Sequence, residues 1–409
     1  MNKRLLITLS LVIFNLSFCI AQNAQEKVDL DALYRQIDEA IEQSPRYVAD
    51  YQARIDHQRK AYLNETDIDR KAVMAEEMFA LYKPFKNDSA LYYAQVCIDI
   101  ADSLSLKGMA GLYRSLMARQ CSNAGMYVES LDFLRQVDKD SLDRQGLTEY
   151  YNAYMHVYGE IANLSLIPEE SKRYWIKQDQ YRDSVLMVAD QGSDHYLHLQ
   201  LLTLLAQQRN EEALKVSDNW INKVTDGTNA DALASYFRHI VYARLNNGEM
   251  VRYWLGRSAL SDIKCAVMDQ ASLITLAEIL NADGDLDRSY RYIRFTWQCN
   301  NAFNTRLRSS QIAPVLSVIE RNYSNVADRN KLILAVSTIV FCVMAIGLLL
   351  MYRYVSRQKR RISATQLSLT TANEELVKAN EKLTKMNERV MRYNKELFDI
   401  NHELMNKNK

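Results

Sequence analysis

The chain has 409 residues, of which only 11 are glycine and 4 are proline, fewer than half of what average usage would give. So few turn formers argue against sandwiches, barrels and enzymes built on glycine-rich loops, and they favour long helices joined by short polar connections. The chain has 51 lysines and arginines and 50 aspartates and glutamates. Its net charge is therefore close to zero and gives no argument for nucleic-acid binding.

The first predicted element is a secretory signal peptide over residues 1–21. Lys3 and Arg4 form its positive start, residues 5–20 are almost wholly apolar, and Cys19 and Ala21 stand at the small-residue positions before the cleavage site. Phe18 is too large for the lipoprotein alternative, and a retained anchor is the other alternative. A cleaved signal places the residues that follow outside the cytoplasm.

Residues 22–69 are predicted to form N-terminal helices. An apolar stripe of Leu30, Leu33, Ile37 and Ile41 has helical spacing. We expect two helices between residues 29 and 63.

Residues 70–304 carry a weak internal repeat, in which a polar turn is followed by an anchor residue on the next helix. The anchors are Ala90, Ser130, Ser171, Ala213, Tyr253 and Ser289, with spacings of 40, 41, 42, 40 and 36 residues. A near-constant period of this length is typical of solenoids built from helix pairs. A non-repeating helical domain is the alternative.

Two of these turns resemble the tetratricopeptide repeat, whose pattern places glycine, an aromatic residue and alanine at fixed intervals. Gly125, Tyr127 and Ser130 stand at those places, and residues 284–289 follow the pattern less closely. The resemblance implies paired helices that approach closely at the small residue. We expect Gly125 to end the first helix with a positive φ. These units are longer than the usual 34 residues.

Residues 305–331 are predicted to be a capping helix and a polar linker, followed by a transmembrane helix over residues 332–352. Twenty residues without a charge, Leu332 to Met351, would rise about 30 Å as a helix, which matches the hydrocarbon core of a membrane. The alternative, a buried core helix, rarely runs this long without a polar face.

The basic juxtamembrane segment, residues 353–361, sets the predicted orientation. Its topology-determining residues are Arg353, Arg357, Lys359, Arg360 and Arg361, with no acid among them. The positive-inside rule then places the tail in the cytoplasm and the repeat array in the periplasm, with one pass through the inner membrane. The segment either binds anionic lipid head groups as well or only fixes the orientation.

Residues 362–409 are predicted to form a cytoplasmic coiled coil. The residues of its main seam fall every seven positions: Leu369, Leu376, Leu383, Val390, Leu397 and Leu404. Smaller or mixed residues from Ala372 to Ile400 alternate with them, which is typical of a left-handed coil and is satisfied most simply by a parallel homodimer. Asparagines beside the seam either loosen it for signalling or serve solubility and partner choice.

Residues that could carry chemistry are few. His195 and His198 lie one turn apart and would need a third ligand to hold a metal, and no nucleotide, zinc-protease or hydrolase motif is present. His402-Glu403-Leu404 resembles the phospho-acceptor motif of sensor histidine kinases, but Met405 and Asn406 depart from it. We therefore predict no enzymatic activity, no cofactor and no metal site.

Four cysteines would face an oxidising compartment: Cys97, Cys121, Cys265 and Cys299. They permit three pairings, between which the sequence does not choose. The alternative, which we favour, is that each cysteine is a small buried hydrophobic residue.

Several short segments together resemble a Bacteroidetes family of tetratricopeptide-repeat membrane proteins, the domain of unknown function 6377. They are residues 81–82, 87–93, 181–184, 258–263, 272–278, 284–285 and 306–308. The resemblance implies a membrane-bound regulator whose cytoplasmic tail continues into a helix-turn-helix-like region. This chain lacks that region, so we expect no direct nucleic-acid binding by the chain itself.

Two functions fit these features. In the first, a single-pass sensor binds a peptide, protein or glycan-related ligand in the periplasm and signals through the cytoplasmic coil, with a transcriptional output as one possibility. In the second, the chain is a constitutive envelope scaffold or assembly factor whose repeats dock a protein partner.

Overall fold

The computed structural model describes residues 28–407, which form α-helices, one short 3-10 helix and no strand. The predicted signal peptide lies outside the described residues. The chain divides into two compact units, Met1–Asn325 and Val326–Lys409. The predicted all-α fold is confirmed.

Fourteen α-helices are present in the described part of the chain. They are α1 Leu30–Asn64, α2 Ile68–Tyr82, α3 Asn87–Ser103, α4 Lys107–Asn123, α5 Tyr127–Arg135, α6 Arg144–Leu164, α7 Pro168–Val188, α8 Asp194–Ala206, α9 Asn210–Ile221, α10 Asn229–Arg244, α11 Gly248–Lys264, α12 Ala271–Asp283, α13 Leu286–Phe303 and α14 Arg306–Lys407. The 3-10 helix, Lys139–Ser141, precedes α6.

Helices α2 to α13 form six consecutive pairs, and in five of the second helices the fourth residue is an alanine or a serine. Where this residue is serine, its hydroxyl bonds a carbonyl of the partner helix: Ser130 Oγ donates to Ala118 O at 2.7 Å, and Ser289 Oγ to Ala277 O at 2.8 Å. Both serines are fully buried. The small anchor therefore lets the two backbones approach and also satisfies its own hydroxyl.

One predicted anchor was placed in the wrong register. The fourth residue of α11 is Val251, not Tyr253. The error arose because the second helix of this pair begins at Gly248, directly after two asparagines, and the sequence offers no small residue at the anchor position.

The turns between helices use single residues in the left-handed region. Gly125 (φ +81°) and Gly284 (φ +89°) serve this role between the helices of their pairs, which confirms the prediction for Gly125. Gln208 and Asn246 adopt the same conformation in the equivalent turns, with φ of 60° and 54°. A residue with a β-carbon is strained there, which is why glycine is preferred.

The N-terminal segment is one helix of 35 residues, not the two that were predicted. Pro45 lies inside this helix, which continues on both sides of the proline. Leu33 and Ile37 lie against Gly256 of α11, where a β-carbon would come within 2.7 Å of Leu33 Cδ2. Glycine at position 256 thus permits α1 to lie directly on the fifth helix pair.

The first and last helix pairs are in contact. Met268 N donates to Pro84 O at 2.9 Å, and Asn304 Nδ2 donates to Asp88 Oδ2 at 2.8 Å. One hydrophobic cluster contains residues of both ends, including Phe85 and Phe303. The array therefore curls back on itself and encloses an interior face.

The cysteines that were predicted to lie outside the membrane are free in the described structure. Cys97, Cys121 and Cys299 are buried, and burial raises the pKa of each thiol to about 12. They pack as small hydrophobic residues, in agreement with the second alternative.

Helix α14 begins in the first unit, where Ile312 and Ile319 are buried in the core, and supplies the whole second unit. The predicted linker over residues 324–331 is helical, because nothing in that segment breaks a helix. Residues of the second unit from Leu332 to Met351 leave their apolar side chains exposed. This helix is long and apolar enough to cross a membrane.

Candidate functional site: the inner polar surface

Polar side chains from several helices converge on the interior face that the curled array encloses. We call this face the inner polar surface; it comprises Lys83, Arg119, Glu149, Asn152, His156, Glu160, His195, His198, Tyr236, Asp269 and Arg308. Lys83 directly follows α2, and Asp269 lies in the turn before α12. The other residues lie on α4, α6, α8, α10 and α14. Burial lowers the pKa of His156, and the charges of Arg119 from α4 and Arg308 from α14 lower it further.

Hydrogen bonds between consecutive helix pairs position this surface. Gln120 Nε2 donates to Asn87 Oδ1 at 2.6 Å in a buried bond, and His156 Nδ1 lies 2.9 Å from Ser122 Oγ. Each bond joins consecutive pairs and so sets the places of the side chains beside it, Arg119 among them. The surface is therefore built by packing between repeats and not by a loop.

Glu149 is the carboxylate with the most interactions on this surface. Its Oε1 lies 3.0 Å from His195 Nε2, and Asn152 Nδ2 lies 3.4 Å from the other ring nitrogen of His195. Burial alone would raise the pKa of Glu149, but its interactions with His195 and the charges of Arg119 and Lys83 outweigh burial and lower the pKa to about 2. Glu149 is thus an anion at neutral pH.

The two other histidines of the surface are neutral at pH 7. Burial, together with the charges of Arg119 and Arg308, lowers the pKa of His156 to about 3. Burial likewise lowers the pKa of His198 to about 4, although its Nδ1 donates to Asp194 O at 2.8 Å. Neither histidine therefore adds positive charge to the surface near neutrality.

Arg308 occupies the opposite end of the surface. It bonds Asp269 Oδ2 at 2.7 Å, while Asp269 Oδ1 is buried without a partner. Glu160 Oε2 is also buried without a partner among the described residues, and burial raises the pKa of Glu160, with Arg308 opposing this and Asp269 adding to it. Asp269 Oδ1 and Glu160 Oε2 are thus two acceptor atoms to which no described residue donates.

The chemistry of this surface is suited to binding. Ser122 Oγ lies 2.9 Å from His156 Nδ1, but Ser122 is fully buried, so its hydroxyl is not accessible to a substrate as a nucleophile would have to be. In the described part of the chain, no group of three or more histidine, cysteine, aspartate or glutamate side chains is placed to hold a metal ion. His195 and His198 have their ring centroids 6.2 Å apart, and each has its own protein partner.

A larger cavity, about 1150 Å³, lies elsewhere, where α1 passes the turn before α10. It is lined by Tyr51, Arg54, His57 and Cys265, among others. The Tyr51 hydroxyl donates a hydrogen bond to Leu81 O at 2.8 Å, and Arg54 and His57 are exposed. We place the candidate site on the inner polar surface, because Glu160 and Asp269 each keep a buried carboxylate oxygen without a partner among the described residues, whereas Arg54 and His57 at the cavity are exposed.

The predicted seam residues and topology-determining residues lie in the second unit, whereas His195 and His198, considered as metal ligands, lie on the inner polar surface. The seam residues Leu369, Leu376, Leu383, Val390, Leu397 and Leu404 are all exposed, between 50% and 63%. The basic residues Arg353, Arg357, Lys359, Arg360 and Arg361 are also exposed. The sequence did not point to Lys83, Arg119, Glu149 or Arg308, since only the curling of the array brings them together.

These features define a class: an array of tetratricopeptide-like helix pairs with a polar inner surface, followed by a helix apolar enough to span a membrane. The family model described as the SusR N-terminal TPR domain matches residues 41–314. Since the match covers well over half of the chain, the chain belongs to this family. No curated protein matches the chain.

Proposed function

We propose that the chain is a single-pass membrane sensor that has no enzymatic activity of its own. Its repeat array binds a peptide, protein or glycan-related ligand outside the cytoplasm, and its cytoplasmic heptad helix carries the response to an output that we expect to be transcriptional. The observation that carries the proposal is the inner polar surface, where Glu160 and Asp269 each keep a buried acceptor atom without a partner among the described residues. Charged groups left in this state are typical of a binding surface.

The proposed topology has a signal peptide over residues 1–21, a periplasmic array, a membrane span over residues 332–352 and a cytoplasmic tail. The exposed apolar side chains of the span and the basic residues that follow it support this arrangement. A periplasm-dependent reporter fused after Asn325 should be active, and one fused after Lys409 should be inactive. The reverse pattern would overturn the proposal.

The proposed mechanism needs two arrangements of a parallel dimer. A ligand changes their balance only if it binds one arrangement more tightly than the other. Arg308 supports a link between site and output, because it lies on the inner polar surface and belongs to α14, the helix that later forms the span and the tail. We also propose that the chain is a member of the domain-of-unknown-function family 6377.

The test is a comparison of transcripts in cells grown on a panel of single carbon or nitrogen sources. Strains would carry the wild-type gene, a deletion, the double substitution Leu383→Asn with Leu397→Asn, and the control Asn380→Ala. A sensor predicts that a defined set of transcripts responds to one source in the wild type and the control only. Transcripts that never differ between wild type and deletion would refute sensing.

One observation favours the second function, a constitutive scaffold. Large apolar residues are exposed in the turn between α6 and α7 and on α7 itself. Leu166 and Ile167 in the turn are 98% and 59% exposed, and Trp175 on α7 is 40% exposed. Such a patch is typical of a protein contact. A scaffold predicts that Trp175→Ser impairs envelope integrity on every growth substrate, without a substrate-dependent change in transcripts.

A further inference from the structure

The basic juxtamembrane segment, residues 353–361, carries five cations whose charge is not compensated nearby. Their side chains are exposed, and none of them makes an ion pair with a described residue. Residues 329–373 contain no aspartate or glutamate that could neutralise them. Before the apolar stretch, by contrast, Lys331 Nζ lies 3.2 Å from Asp328 Oδ1. The positive charge after the stretch is therefore available to an anion from outside the chain.

Three of these cations lie on one face of α14, which is helical throughout the segment. They are Arg353, Arg357 and Arg360, and we call them the arginine face. Because an α-helix turns by about 100° per residue, spacings of four and three residues place them within an arc of about 60°. The seven-residue spacing of the predicted seam continues from Leu369 back to Ile362, and relative to that seam all three arginines take outer positions of the heptad. The arginine face therefore stays uncovered in the predicted dimer.

The arginine face begins where the apolar stretch ends. A helix rises about 1.5 Å per residue, so along the membrane normal the three arginines lie about 3, 9 and 14 Å beyond Met351. The headgroup layer on each side of the hydrocarbon core is about 5–8 Å thick, and the Debye length at physiological salt is about 8 Å. Tyr352 and Tyr354 on either side of Arg353 are exposed, and tyrosine is typical of the membrane interface. All three guanidinium groups thus lie within electrostatic reach of lipid headgroups.

We propose that the arginine face binds the phosphate groups of anionic lipids in the adjoining leaflet. A guanidinium group presents a planar fork that bonds two phosphate oxygens at once, which an ammonium group cannot do. Lipid bound on this side of the helix holds it against the headgroups and restricts rotation of α14 about its own axis. This proposal rests on the proposed function, because it takes residues 332–352 as the membrane span.

The test is native mass spectrometry of the full-length chain in a neutral detergent, titrated with phosphatidylglycerol or with phosphatidylcholine of the same acyl chains. The wild type should prefer phosphatidylglycerol, and high salt should weaken this binding. Each arginine near an anionic surface contributes about five-fold in affinity, so Arg353→Gln, Arg357→Gln and Arg360→Gln together should weaken phosphatidylglycerol binding about 100-fold. The charge-preserving triple substitution with lysine should keep the preference at reduced affinity.

The matched control removes the same charge farther along the tail, with Lys378→Gln, Lys382→Gln and Lys385→Gln. These exposed lysines lie about 40–50 Å beyond the span as helix, and the control should bind lipid as the wild type does. Equal binding of the two lipids, an unaffected arginine triple variant or an equal loss in the lysine control would overturn the proposal.

A competition experiment separates a membrane lipid from a free anion. Glycerophosphoglycerol, which is the same headgroup without acyl chains, should not displace phosphatidylglycerol; full displacement at equal concentration would overturn the assignment to lipid. Because the lipid titration is carried out in detergent, its result does not depend on the orientation of the chain in the cell. Preference for phosphatidylglycerol in a chain whose fusion after Lys409 reports a periplasmic tail would refute the proposed topology and leave the arginine face.

Discussion

Ala213→Leu tests the packing of a helix pair most directly. Ala213 is the fourth residue of α9 and is fully buried among Leu201, Leu204 and Val241. Leucine adds three carbon atoms where the backbones of α8 and α9 approach, and overpacking of this kind costs about 1–3 kcal/mol. At roughly 2–4 °C per kcal/mol for a unit of this size, the thermal midpoint should fall by about 2–12 °C.

The assay is thermal unfolding, followed by circular dichroism, of residues 22–331 expressed as a soluble helical protein. Ala206→Leu is the matched control, because Ala206 is exposed at the end of α8 and its substitution should change stability by less than about 0.5 kcal/mol. Ala213→Ser should also be tolerated, as serine occupies the equivalent positions 130 and 289. A fully tolerated Ala213→Leu would refute the anchor register, and a spectrum dominated by strand would end the solenoid model.

Three further predictions concern turns, acid stability and the tail. Gln208→Gly should stabilise the array by about 0.5–1 kcal/mol in urea unfolding, because it removes a β-carbon from a left-handed turn; a loss of stability would show that Gln208 itself makes the turn. The pKa of His156 is lowered to about 3, so protons bind the unfolded chain first and the stability that neutral His156 contributes is lost as pH falls from about 6.5; His156→Gln should therefore lose less thermal stability than the wild type between pH 7 and pH 5, and an equal loss would contradict this. A peptide of the heptad segment should sediment as a dimer that Leu383→Asn with Leu397→Asn abolishes and Asn380→Ala preserves; if Asn380→Ala dissociates it, the seam is misassigned.

The helical repeat architecture could be predicted from the sequence because its cause is local. Each pair needs a turn former and a small residue a few positions later, and both recur near residues 125–130 and 284–289. The prediction failed where that local pattern is absent. Val251 replaces the small anchor, and the segment that was predicted as two helices is one, Leu30–Asn64.

The inner polar surface could not be predicted, because its cause is not local. Arg119 and Arg308 are 189 positions apart in the sequence, and only the folded array brings their charges to bear on the same histidine, His156. A single charged residue on a helix is ordinarily solvated, so nothing marks Arg119 as unpaired until every possible partner has been placed. The tail is the opposite case, because its heptad pattern is visible in the sequence. The second helix that the predicted seam needs would come from another copy of the chain.

Crosslinking in growing cells tests the central claim, ligand-dependent signalling by a dimer, most directly. Leu383→Cys in the seam and Glu388→Cys on the outer face, each with Cys342→Ser, would be treated with a short bifunctional maleimide after growth on each substrate. The account predicts that Leu383→Cys gives a crosslinked dimer whose yield changes on the substrate that alters transcripts, while Glu388→Cys crosslinks poorly throughout. A Leu383→Cys yield that is the same on every substrate would contradict sensing, and no crosslink at all would contradict the parallel dimer.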